Sequence, residues 1–191
     1  MNSFMMFLGI FLVFLINPVI AYFNAKNVGE CWTEVAQSSL WEKSILISAL
    51  VQSVIGFSMP SLGILLIVGY FTKFLTLNEI YLGVDLFWIS AIIPLVGSGL
   101  IITIQSVKNA IKEKSLSSGL VAAWNVGATV ENFIDLFYNF GSVLKDIGKR
   151  SDDENDVGVM MIVILVVCAL FSGFLFTSLS FRRGRNLSLT N

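Results

Sequence analysis

Residues 157–181 read VGVMMIVILVVCALFSGFLFTSLSF, an apolar stretch without one charged side chain. An α-helix needs about 20 such residues to cross the hydrocarbon core of a bilayer. Two more runs, 45–71 and 81–104, reach or pass that length, and a fourth, shorter one opens the chain at Phe4. Mean hydropathy is +0.82. Only 13% of the 191 residues are charged. A soluble chain of this size has no interior large enough for so much apolar surface. Inside lipid the backbone finds no water, so only helices or closed barrels cross. These runs lack the alternation of barrel strands. The sequence therefore reads as an all-α, polytopic integral membrane protein. Three or four transmembrane helices are expected, with spans near 45–73, 81–105 and 157–181. An amphipathic interfacial helix over 120–147 joins them in one helical membrane domain, 22–191.

The first run, 4–16, is followed by Asn17-Pro18, where proline is expected to break the helix. Val19-Ile20-Ala21 then places modest and small residues where a signal peptidase would cut, after Ala21. Residues 1–21 thus have the layout of a signal peptide, although Met1-Asn2-Ser3 lacks a basic side chain. The competing reading is an uncleaved first transmembrane helix over 4–23.

Composition excludes most chemistry. The chain carries 12 basic and 13 acidic residues, so no field attracts a polyanion, and no nucleic-acid partner is expected. It has no histidine, the commonest general base and metal ligand. Triads built on histidine, and zinc or haem held by it, are ruled out. Cys31 lies outside the apolar runs and Cys168 deep inside the last, so a bridge between them is not expected. Glu131 and Asp135 stand four apart on one helix, but paired-carboxylate catalysis needs facing elements. The acids at 152–156 lack the spacing of a calcium loop. No catalytic residue, metal ligand or cofactor site is expected, and the chain reads as non-enzymatic.

Between the runs the pattern changes. Residues 24–43 carry Trp32 and Trp41, side chains suited to the membrane–water interface. The stretch 44–74 holds Pro60 near its middle and reads as one kinked span, with a re-entrant hairpin as the rival. In 81–104, Gly83, Ser90 and Gly97 recur every seven residues, a face that lets another helix come close. Asp85 is the one acid inside the apolar runs, and an intramembrane carboxylate is a functional candidate by default. Its bland alternative is a helix-start acid favoured by the dipole. Residues 115–119 read as a linker. In 120–147, Val126, Val130, Phe133, Phe137, Phe140, Leu144 and Ile147 follow helical spacing, with Glu131, Asn132, Asp135 and Asn139 on the other side. This helix is expected on the membrane surface or against a partner, its phenylalanines buried and its acids wet. Residues 148–156 read as a charged loop. Ala169 and Gly173, four apart, form a second small contact face, and Arg182, Arg183 and Arg185 follow the last span.

An arginine tail after a last span belongs in the cytoplasm by the positive-inside rule. With the amphipathic helix on the surface, however, that topology exports Lys108, Lys112, Lys114, Lys145, Lys149 and Arg150. The tail-inside arrangement is preferred. The expected role is a structural or interaction subunit of a membrane assembly in the cell inner membrane, of the secretion, conjugation, exclusion or immunity type by architecture alone. Its partners would be the lipid bilayer and other membrane proteins or further copies of itself. The alternative is a small pore or transporter component, for which Asp85, Gln52 and Gln105 offer the polarity.

Overall fold

The computed structural model describes residues 12–35, 38–153 and 156–188. They are helical almost throughout, and no strand occurs among them. A wide π-helical turn, Leu12–Ile16, leads into α1 (Asn17–Val35). There follow α2 (Leu40–Phe71), α3 (Leu77–Glu113) and α4 (Leu116–Ile134). A second π-helical turn, Asp135–Asn139, joins α4 to α5 (Phe140–Asp153), and α6 (Asp156–Ser188) closes the chain. Three helices, α2, α3 and α6, are long and apolar enough to cross a membrane. The protein is an all-α integral membrane protein.

Local chemistry sets the ends. Ser39 accepts from the Glu42 amide while the Glu42 carboxylate accepts from the Ser39 amide, a reciprocal cap that starts α2 five residues ahead of its apolar run. Thr76 and Glu79 do the same for α3. Lys114 turns the chain in the left-handed region at φ 51°, and Ser115 caps the next helix by accepting from the Ser118 amide. The expected linker 115–119 therefore shrinks to Lys114 and Ser115. The expected charged loop 148–156 is likewise helical up to Asp153 and again from Asp156.

Neither proline acts as a break. α2 runs unbroken through Pro60, so 44–74 forms a single rod and not a re-entrant hairpin. Pro18 sits in the first turn of α1, where its missing N–H costs little, just after the π-helical turn. The helix expected to stop there continues to Val35.

The apolar core lies where α2, α3 and α6 meet, around Leu62, Leu66, Leu82, Phe87 and Ile162, and α6 also packs along α1. Ile162, Val166, Ala169, Gly173, Thr177, Ser180 and Gly184 are all buried at steps of three or four residues, one continuous stripe of α6. Ala169 and Gly173, singled out from their spacing, lie in it. A Cβ on Gly173 would run into Ser58 Oγ and the Val54 carbonyl of α2. One on Gly184 would strike the Lys26 carbonyl of α1, and one on Gly29 the Phe181 carbonyl. Trp32 closes this crossing edge-to-face on Phe181, centroids 5.3 Å apart. Buried Ser53, Ser58 and Ser180 turn their hydroxyls back to carbonyls four residues earlier, whereas the buried Thr177 hydroxyl finds no partner at the seam.

The amphipathic segment has its partner within the chain. α4 and α5 run antiparallel along α3 for its whole length. Thr129 packs on Gly99 and bonds Thr103 just past the middle of α3, and Arg150 meets Asp85 nearer its start. A helix that follows a spanning helix end to end stands upright beside it and does not lie flat. The apolar face is wider than this contact. Phe133 and Phe140 are half-buried, whereas Phe137 is 75% exposed and Leu144 47%. The expected burial of all these side chains is thus met only on the edge that touches α3.

Candidate functional site

The sequence-derived small face on α3 divides. Gly83 is buried, and a Cβ there would press on Leu66 of α2 and Ile162 of α6. Ser90 and Gly97 are exposed, and nothing lies within 4 Å of a Cβ at Gly97. An α-helix drifts about 20° per seven residues, so two heptads rotate Gly97 away from the line of Gly83. The close approach on this part of α3 falls instead at Gly99, against Thr129.

Asp85 is not merely a helix-start acid. Its Oδ2 lies 3.4 Å from Arg150 Nε of α5. The same guanidinium donates to Asn78 Oδ1 at 3.1 Å and stands over the Tyr81 ring at 4.9 Å. Arg150 thus ties α5 to the first three turns of α3. The sequence reading placed Arg150 in a loop and missed this role. The signal was its place on the helix continuing from Phe140 and Ile147.

A larger feature lies at the other end of the hairpin. α1 and α4 flank a groove floored by α2 and α3, with a volume of about 600 Å³. Each helix contributes a regular stripe. Asn17 and Asn24 come from α1, Gln52 from α2, Gln105 and Asn109 from α3, and Asn125 and Asn132 from α4. The lining includes no charged side chain. Between the amides stand Ile45, Ile55, Leu95 and Ile102. Gln105 accepts from Trp41 Nε1 at 3.0 Å and donates to Asn109 at 2.9 Å. Lys108 caps the Trp41 ring at 4.8 Å. Gln52 and Gln105, the two polar groups noted from the sequence, are therefore brought together with five further amides. Their signal was the seven-residue spacing of Asn17 with Asn24 and of Asn125 with Asn132.

On the outward side of α4 the side chains are of mixed character. Glu131 is exposed about 100° round the helix from Asn132. Neighbouring Tyr138 is 80% exposed, and Trp124, at the rim of the groove it helps to line, is 69% exposed. Asn139 donates to Asp135 Oδ1 at 2.9 Å across the π-helical turn. Cys31 and Cys168 are free and exposed, so Cys168 points out of the bundle instead of packing within it.

Fold and groove together define a helical membrane protein with a polar, uncharged cleft and a half-covered amphipathic hairpin. Comparison of the chain with protein-family models, curated proteins and solved structures finds no match in any of the three.

Proposed function

We propose that this protein is a non-enzymatic subunit of a multi-protein membrane assembly, and that the outer face of α4 and α5 is its contact surface. One observation carries the reading. Between the Thr129–Gly99 contact and the Arg150–Asp85 pair, Glu131 and Asn139 fall beside the apolar middle of α3 and are exposed. Neither the Lys26–Glu30 nor the Arg150–Asp85 ion pair includes Glu131. An acid facing hydrocarbon there costs about 2.5–3.5 kcal/mol. A neighbouring protein that covers it, together with Val130, Phe137 and Leu144, removes that cost and fills an otherwise bare apolar face. Other membrane proteins or further copies of this chain serve equally.

The upright hairpin also eases the conflict over topology. α1 ends, α2 begins, α3 ends and α6 ends on one side of the bundle, as the Trp41–Gln105 and Trp32–Phe181 contacts require. Lys43, Lys108, Lys112 and Lys114 therefore share that side with Arg182, Arg183 and Arg185. Lys73, Lys145, Lys149 and Arg150 lie at the other. The positive-inside rule then puts the arginine tail in the cytoplasm of a cell whose inner membrane holds the protein.

Native electrophoresis after mild-detergent extraction tests the subunit reading. The chain should migrate in a complex well above its own 21.0 kDa. Glu131→Lys with Phe137→Ala should release it as a monomer of unchanged thermal stability. A wild-type chain that is monomeric in every mild detergent contradicts the reading.

A further inference from the structure

We infer that the groove between α1 and α4 is a water-filled vestibule, open at the basic end of the bundle, that admits small uncharged hydrogen-bonding solutes to mid-membrane depth. Independently of any partner on α4, three observations point to it.

The first is continuity. A second cavity of about 270 Å³ shares Ser106, Asn109 and Val121 with the groove and adds Glu113, Ser117 and Ser118. Those last residues flank the turn between α3 and α4, so the polar path reaches the end of the bundle.

The second is depth. The lining runs along α2 from Ile45, where the apolar run begins, past Gln52 to Met59, about 21 Å at 1.5 Å per residue and more than half of a 30 Å hydrocarbon core. At that end the space closes. Asn17 Nδ2 lies 3.3 Å from Met59 Sδ, and the Phe14 ring sits on Gly63.

The third is unmet bonding. The side chains of Asn24, Gln52 and Asn132 are half-buried in the groove and make no hydrogen bond to another described residue. Lipid tails offer them nothing, and an unmet amide in an apolar medium is costly. Water and neutral hydroxyl- or amide-bearing solutes bond them on both their donor and acceptor sides. The groove's own lining carries no charge, Glu113 standing only at its mouth, so neither ion sign is selected along it.

Thiol accessibility in native membranes tests this. In a Cys31→Ser, Cys168→Ala background, Gln52→Cys and Asn132→Cys are exposed to impermeant cationic and anionic methanethiosulfonates. Ile164→Cys and Val167→Cys, on the outward side of α6, serve as lipid-facing controls. Both groove positions should react about tenfold or more faster than the controls, since the reactive thiolate needs water. Reaction should come only from the side bearing Lys114, at similar rates for both reagents. Ala128→Trp, which fills the groove, should slow it at position 52. Should either variant fail to insert, Asn24→Cys and Ala49→Cys give the same reading. Rates equal to the controls would overturn the inference and show lipid or a partner helix in the groove. Reaction from both sides would overturn it in favour of a through-pore.

Discussion

Arg150 Nε stands 3.4 Å from Asp85 Oδ2, and this pair fastens α5 to α3 about 21 Å along that helix from the Thr129–Gly99 contact. Both side chains are mostly shielded, at 30% and 23% exposure, so breaking one partner leaves a poorly solvated charge. Arg150→Ala should destabilise the protein by about 1–3 kcal/mol, the cost of a buried group left unmet. The double variant Asp85→Asn, Arg150→Gln should recover much of that loss. Thermal unfolding in detergent reads both. An unchanged midpoint in Arg150→Ala would mean that the pair does not hold the hairpin.

Glycines in this chain differ sharply in what they do. Gly173→Leu should disrupt the α2–α6 seam, because its side chain meets Ser58 and the Val54 carbonyl, at a cost of about 1–3 kcal/mol or more for overpacking. Gly97→Ala enters open space and should stabilise α3 by about 0.5 kcal/mol through helix propensity. Melting curves of the two variants that ran in parallel would contradict this division.

The contrast marks how far the sequence could be read. Helices over the three long runs follow from length and hydropathy, because a membrane span is a property of one segment. Their true starts at Leu40 and Leu77 were also legible, in the Ser39–Glu42 and Thr76–Glu79 caps, but lie outside the apolar runs. Contacts between segments were not. The seven-residue spacing of Gly83, Ser90 and Gly97 names a face but not the neighbour's rotation, and only Gly83 of the three is buried against other helices. The polar positions of 120–147 argued against a span, yet the edge bearing Thr129, Phe133 and Ile147 finds its cover on α3. The groove needed stripes from four helices in register, which no single stripe announces.

The packing of the first segment favours its retention. Ala21, beside the expected cleavage point, is 2% exposed, and a Cβ on Gly56 would touch it and the Asn17 carbonyl. A cut there would remove Asn17 and Ala21 from α2 and one wall of the groove. Accordingly, N-terminal sequencing of protein purified from membranes should find a start upstream of Asn17. A mature chain beginning at Tyr22 would contradict it.

The account turns on α4 and α5 standing upright beside α3. Single cysteines at Ser117 and Lys149, near the two ends of this arm, probe that directly with an impermeant maleimide applied to intact cells and to inverted vesicles. Labelling from opposite sides is the expected result, with position 149 reached from outside and position 117 from the cytoplasm. Labelling of both positions from the same side would show the arm lying flat on one membrane face and would contradict the hairpin, the groove wall it supplies and the topology built on it.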